Sequence, residues 1–523
     1  MVDPGRLVLA LAVVCGCHGD AENASTRVHG HHGDEDDVTI TGLPKLLEQG
    51  GLSFELVDES TGQRIPGKLT LVGVSGTRDP KLSRGDIGRE DEQSLCAYNR
   101  VFSLSGVGVV PIPIGTYDIT ASRGPEWTIS TQRITMTREG AELHARLRHV
   151  VETPHWVSGD FHVHAAPSPD SRVPMRDRVY EFVADGVDMI VSTDHNVVSN
   201  YEPVIAELGA QKLLASATGD EITTGDWGHF GAFPLPHEME SEGHGAISVR
   251  KRTPTDIFRD VRERAAGAVI DVHHPRLETA TGYFILGKFD DEKDESARKG
   301  FSYDFDALEI LNGYQDTNRK SIERVMKDWF ALLDRGHLVT ATGNSDTHHL
   351  TYNLGGYPRN YVLVDNDDPG TVTALDVAKG VKAHHAFFTT GPFVEFKVGK
   401  TGIGDLAAAP GGKATAQITV KAAPWVTVSR VILYVAGQEV KRWDVTNTRE
   451  VLRFDDKYEL AVPHDTYAVV RVEGDGSLAP VVGGGTGVTV HPFALTNPIF
   501  LDTNGNGKYD PPTPHGAHHV DKE

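Results

Sequence analysis

Cysteine is scarce in this sequence, with three among 523 residues. Cys15 and Cys17 stand close to the N-terminus and Cys96 stands alone, so no intrachain disulfide framework is expected. Cys96 reads as a small buried residue rather than a reactive one. An apolar run of the roughly 20 residues that a membrane-crossing helix needs is also missing. Positive charge is in deficit: 51 Lys and Arg stand against 73 Asp and Glu, a formal net charge of -22. With no local basic patch, phosphate backbones and anionic headgroups are poor long-range partners, which argues against nucleic acid. The same acidity suits a chain that collects divalent cations, although most acidic surfaces are simply solvated. Hydrophobic residues at 39% and charged residues at 24% describe an ordinary soluble globular protein. Its length suggests about three domains.

The first segment, LVLALAVVCGC, follows Arg6 and precedes polar HGDAENAS. Too short to span a bilayer, it fits an export signal over residues 1–17. Val14, Cys15, Gly16 and Cys17 resemble a bacterial lipobox, which implies a lipid on Cys17 as the sole membrane contact of an exported protein, at the periplasmic or cell surface. Cys15 stands where a small residue is usual, and this leaves plain cleavage and secretion open. Residues 18–48 read as a flexible tether, since HGDAENASTRVHGHHGDEDD lacks hydrophobic periodicity. His29, His31 and His32 within it suit a solvated linker better than a metal site.

Three regions follow. Residues 49–150 carry short alternating strands (LSFELVD, GKLTLVGV, GTYDITAS, RITMT, ELHARL) between turn residues, the pattern of a small β-sandwich. The segment PIGTYDITASRG resembles the regulatory β-domain of carboxypeptidases, which implies packing or binding rather than catalysis. Over residues 151–398 near-continuous apolar runs alternate with helical patterns, as in strands buried on both faces. The clearest helices are TPTDIFRDVRERAAG, with Thr253 as N-cap, Pro254 first and Gly267 as stop, and NRKSIERVMKDWFALLDRG. The latter carries a stripe of Ile322, Val325, Met326, Trp329, Phe330 and Leu333. Strand and helix in alternation predict an α/β fold with a parallel sheet and right-handed crossovers. Residues 399–523 return to β patterning, a second sandwich. They end in FLDTNGNGKYDPP, where Asp502, Asn504, Asn506 and Asp510 occupy the alternate positions of a calcium loop. No Glu stands at the twelfth position, so an Asn/Gly turn is the alternative.

The chemistry is expected where the middle strands end. Nearly every one closes on a metal-ligand type: His162 and His164, Asp194 and His195, Glu221, His229, His273 and His274, then Asp346 and His348. In a barrel such ends converge on one rim. Residues two apart on a strand share a face, so His162 with His164, and Asp346 with His348, can each chelate. Any single member is weak evidence, because one buried His is more often a hydrogen-bonded core residue. The whole set without cations would leave several uncompensated charges buried, each costing several kcal/mol.

GDFHVHAAPSPDS, VSTDHN, GDEIT, GHFGAF, HHP and NSDTHH together resemble, in order, the motifs of the polymerase and histidinol phosphatase (PHP) superfamily of metal-dependent hydrolases. WVSGDFHVH and FFTTGPFVEF are closer to its carbaryl-hydrolase (CehA/McbA-like) branch. The resemblance covers about half the chain. It implies a distorted (β/α)7 barrel, here flanked by the two β-sandwiches. It also implies that His162, His164, Glu221 and Asp346 hold one metal pair, Glu221 bridging, while Asp170, His195, His229, His274 and His348 complete the remaining positions. His273 competes with His274, and adjacent strand residues face opposite ways, so only one is expected to ligate. Asp194 is expected to orient a ligand or carry a proton, its other role being to cap the following turn.

Nitrogen and carboxylate ligands without thiolate suit two or three zinc, manganese or iron ions. A water bridging them, its pKa lowered from about 16 to about 7, becomes the nucleophile on a small-molecule substrate. Arg359, in GGYPRNYV, is expected to clamp an anionic substrate group, unless it is an ordinary surface arginine. Phosphoester hydrolysis leads, with a carboxylic or carbamate ester second. The competing class is a cell-surface binding or adhesion lipoprotein with an inert barrel, against which the full ligand set argues.

Overall fold

The computed structural model describes residues 49–512 except 84, 86, 92–93, 278–280, 294, 297, 314–318 and 484–487. The export signal, Cys17 and the tether of 18–48 lie outside the described residues. Among those described, no helix is long and apolar enough to cross a membrane.

Alternation builds the first region. Along Gln49–Asp58, Leu52, Phe54 and Leu56 turn inward while Ser53 faces out, and Leu143, Ala145 and Leu147 do the same along Ala141–Leu147. These two strands pair in parallel, Phe54 opposite Leu143, and Val107–Pro113 adds an antiparallel edge. A six-stranded sheet runs in the order Arg89–Asp91, Ser94–Ala97, Arg100–Ser103, Gly67–Val74, Gly115–Ser122, Ser130–Met136. Leu69, Leu71, Val101 and Ile119 from that sheet meet Leu52, Phe54 and Leu143 in one core.

The middle region corrects the barrel expectation. The chain is mostly β, with 40% strand against 14% helix, and the described residues contain several sheets but no closed barrel. Trp156–Val163, buried along nearly its whole length, pairs in parallel with Met189–Ser192, which pairs in parallel with Ala215–Ala217. A second, five-stranded sheet orders Asp220–Thr223, His229–Phe233, Val269–Val272, Ala307–Asn312 and Thr340–Asn344. Only its last two pairings are parallel.

Two connections break the parallel alternation. Between Thr223 and His229 the chain has room only for a turn, whereas a parallel crossover needs a dozen residues or more, so a hairpin forms. After Thr340–Asn344 no helix intervenes before Arg359–Leu363, which lies antiparallel beside Trp156–Val163, Ser158 opposite Tyr361. The first sheet then continues outward through Ala386–Thr389 into Phe493–Thr496. The two sheets therefore meet at single bridges, Val163 with Thr347, His195 with Glu221 and Ser199 with Gly219.

That outward continuation also crosses the expected boundary at 398/399. Phe393–Val398 pairs with Lys413–Lys421, and Phe493–Thr496 carries the long sheet on through Thr466–Glu473 and Arg430–Val435. The helix Arg319–Asp334 supports this junction: Tyr467 Oη donates to the Phe330 carbonyl at 3.2 Å. The helix Pro254–Arg264 begins at a capping box, Thr253 accepting from Asp256 N–H and Asp256 from Thr253 N–H. It ends at Arg264, before Gly267 is reached.

Candidate metal centre

The ligand-type residues sit where the two sheets touch. His162 and His164 end and follow Trp156–Val163, His195 follows Met189–Ser192, and Glu221 and His229 belong to the hairpin. His274 follows Val269–Val272, and Asp346 and His348 follow Thr340–Asn344. His162, His164, Glu221 and Asp346 are essentially buried, and His229, His274 and His348 nearly so. Asp170, with 48% of its side chain exposed, and His195, with 14%, form the open side.

Glu221 is the hub. Its carboxylate oxygens lie 3.0 Å from His162 Nε2, 2.7 Å from His195 Nδ1, 3.3 Å from His229 Nδ1 and 3.4 Å from His274 Nε2. Asp346 Oδ1 is 3.2 Å from both His162 Nε2 and His164 Nε2, and Asp170 Oδ2 is 2.9 Å from His195 Nε2 and 3.2 Å from His348 Nε2. The chain thus presents groups that could hold metal ions: His164, Asp170, His195 and His348; His162, Glu221 and His274; His162, His164 and Asp346; and His195, Glu221 and His229. All nine residues that the motifs single out as ligands recur in these groups, and His273 does not.

The donor atoms fit cations better than one another. His162 Nε2, His164 Nε2, His229 Nδ1 and Glu221 Oε2 are buried and make no hydrogen bond, although each has a donor or acceptor close by. Buried polar atoms are ordinarily satisfied, and orphans that converge on one point are what a coordination site presents. Backbone strain gathers here too. Asp346 (φ 50°) and His274 (φ 29°) both occupy the left-handed region, which costs about 1–3 kcal/mol each.

The electrostatics follow from the packing of carboxylates against imidazoles. Burial disfavours the charged form of His162, but Asp346, Glu221 and Glu309 outweigh it and raise its pKa well above the ordinary value. Burial and the neighbouring His348 push His164 well below. Burial opposes ionisation of Glu221, yet His229, His195 and His162 hold it well below the usual carboxylate range. His195 is raised to about 11, Glu221 and Asp170 overcoming burial.

One placement departs from expectation, and two take the second role each segment offered. Arg359 is buried, and its guanidinium donates to the carbonyls of Gly356 (3.0 Å), Gly186 (3.1 Å) and Asp185 (3.1 Å), so it ties loops together and does not present a substrate clamp. Asp194 accepts from Ala165 N–H at 2.8 Å and from Ser199 Oγ at 2.5 Å; it fastens the turn after its strand, its pKa pushed by burial to about 6. The loop of Asp502, Asn504, Asn506 and Asp510 closes on its own hydrogen bonds. Asp502 accepts from the amides of Gly505 and Gly507, Asn504 from that of Asn506, and Asn506 from that of Lys508, while Asp510 accepts from both Asn side chains. Its oxygens are engaged as an Asn/Gly turn.

Sequence reading missed Glu309. Buried on Ala307–Asn312, it lies 3.1 Å from His162 Nδ1 and accepts from His274 N–H at 2.7 Å and from Asn312 Nδ2 at 3.0 Å. Asn312 also donates to Asp346 Oδ2. A carboxylate inside the apolar run of DALEILNG was the available signal. Gly231 opposes Glu221 in the hairpin, and a Cβ there would come 2.3 Å from His273 Nε2, which explains the glycine in GHFGAF. A cleft of about 520 Å³ lined by His155, Asp365, Lys379 and His385 lies at the opposite end of Trp156–Val163 and contains none of the nine.

No protein-family model matches the chain, and no curated protein does. Among solved structures, an engineered protein shares 12% identity over 69% of this chain and 64% of its own, with a TM-score of 0.15. A β-glucuronidase from Bacteroides uniformis shares 10% identity over 83% of this chain and 57% of its own, with a TM-score of 0.16. The chain thus spans under two thirds of either, and similarity at this level carries no argument about fold or activity.

Proposed function

We propose that this chain is a metal-dependent hydrolase of the PHP type, acting on a phosphomonoester or phosphodiester, with carboxylic or carbamate esters as the second substrate class. The observation that carries this reading is the convergence of buried, unbonded ligand atoms from distant strands on Glu221 and Asp346. His162, His164, Glu221 and Asp346 would hold one pair of ions, and Asp170, His195, His229, His274 and His348 the remaining positions. Two or three zinc, manganese or iron ions suit such donors. Bound there, they supply a water ionised near neutral pH and positive charge beside the attacked group. The chain itself orients the imidazoles through Glu309 and Asp346. It leaves open the side formed by Asp170 and His195, where a small-molecule substrate enters. With residues 1–17 read as an export signal, the enzyme works outside the cytoplasm, anchored through Cys17 or secreted.

Metal analysis of the purified chain, beside hydrolysis of p-nitrophenyl phosphate, bis-p-nitrophenyl phosphate, an aryl acetate and an aryl carbamate, tests the reading. At least two transition metals per chain are expected, with turnover of a phosphoester, and His162→Ala with His164→Ala is expected to abolish both. A metal-replete protein inert on every ester would favour a surface-binding role instead.

A further inference from the structure

The two sheets that carry the ligands meet beside His164 at one backbone bridge, Val163 with Thr347, where His164 N–H donates to the Thr347 carbonyl at 3.1 Å. A continuous ladder would fix this separation by repeated backbone pairs; here the lone bridge is supplemented by side chains, Asn344 accepting from Phe161 N–H at 3.3 Å and Asp160 from Ser345 N–H at 3.1 Å. Arg178 is the side chain that reaches the carbonyls of both ligand turns. Arg178, on the helix Met175–Ala184, is completely buried. Its Nε donates to the His164 carbonyl at 2.9 Å, and its terminal nitrogens to those of Thr347 at 3.0 Å and His349 at 3.4 Å. Glu181, one turn along, holds the guanidinium at 2.6 Å and accepts from Gly355 N–H at 2.8 Å. A planar guanidinium can reach three carbonyls at once, which an ammonium cannot do with the same geometry.

Resting on the hydrolase reading above, we infer that Arg178 is a positioning residue that sets the distance between the His162/His164 turn and the Asp346/His348 turn, and so completes the metal subsites those two turns share. The subsites built on Glu221 with His274 and with His229 receive nothing from Arg178. Its loss therefore acts on part of the centre and not on the whole.

The full chain is compared with Arg178→Lys, Arg178→Met and Arg359→Lys, each dialysed against zinc or manganese and assayed for bound metal and for thermal unfolding. Arg359 is the matched control, a buried arginine that also donates to three carbonyls, none belonging to a ligand turn. Both Arg178 variants are expected to bind one metal equivalent at least about tenfold more weakly and to keep the rest. Arg359→Lys is expected to lower the unfolding temperature without changing stoichiometry. Unchanged metal content in a folded Arg178→Lys overturns the inference, as does an equal loss in Arg359→Lys. Should Arg178→Met not fold, Arg178→Lys decides. A wild-type chain that takes up no metal overturns the hydrolase reading itself, an outcome distinct from these.

Discussion

Glu309 shows how one buried carboxylate can organise a centre it does not belong to. An ionised carboxylate only accepts, so its contact with His162 Nδ1 keeps a proton on that nitrogen and makes Nε2, facing Glu221 and Asp346, the nitrogen that would give up its proton to a cation. Glu309→Ala is expected to weaken metal binding about 10–100-fold, with Glu309→Gln in between because it keeps an acceptor. Equilibrium dialysis measures this, and wild-type affinity in Glu309→Ala would dismiss the role. At this scale eight of the nine ligand-type residues were legible as ionisable groups at the ends of apolar runs, and Asp170, in a proline-broken loop, only through the resemblance. Arg359 was not, since nothing local in GGYPRNYV tells whether a guanidinium faces solvent or three carbonyls. Asp194 was legible only as a choice of two roles, because its partners Ala165 and Ser199 are set by the turn.

Between elements, charge is spent on fastening. Lys68 on Gly67–Val74 and Asp185 at the end of Met175–Ala184 form a fully buried pair at 2.7 Å, joining the first β region to the helix that bears Arg178. Lys68→Met leaves Asp185 with only the Tyr357 hydroxyl, and is expected to cost about 3–5 kcal/mol in urea unfolding. Replacing both partners with apolar residues should recover most of it, and no recovery would mean that the pair is not the cause. The helix Ala374–Lys382 supplies a pH test remote from the centre. Just beyond it, burial and the adjacent His385 depress His384 from 6.5 to about 4, and its ring lies 2.7 Å from Thr340 Oγ1. The unfolded chain then binds the extra proton, so this contribution is complete above pH 6.5 and is lost as the pH falls toward 4. It amounts to about 3 kcal/mol. His384→Asn, which tolerates the local φ of 61°, should flatten the acid limb of stability against pH, and an unaltered limb would contradict the assignment. Elements with local codes were legible, such as the capping box at Thr253 and the apolar stripe of Arg319–Asp334. Pairing was not: the apolar runs read alike whether their neighbours lie parallel or antiparallel.

For the whole molecule, the barrel expectation failed at its connections and not at its strands. The hairpin from Asp220 to Phe233 and the antiparallel return of Arg359–Leu363 replace the expected alternation, and the strands form two sheets, one of them shared with the C-terminal region. The ligand motifs still converge because each stands at the end of its own strand, wherever that strand's other neighbour lies. Anomalous diffraction from crystals of the full chain, recorded on either side of the zinc, manganese and iron edges, examines that convergence directly. Peaks are expected within coordination distance of Glu221 and Asp346, bounded by His162, His164 and His195. Crystals carrying a metal only elsewhere on the surface, or none after soaking in all three, would contradict the account.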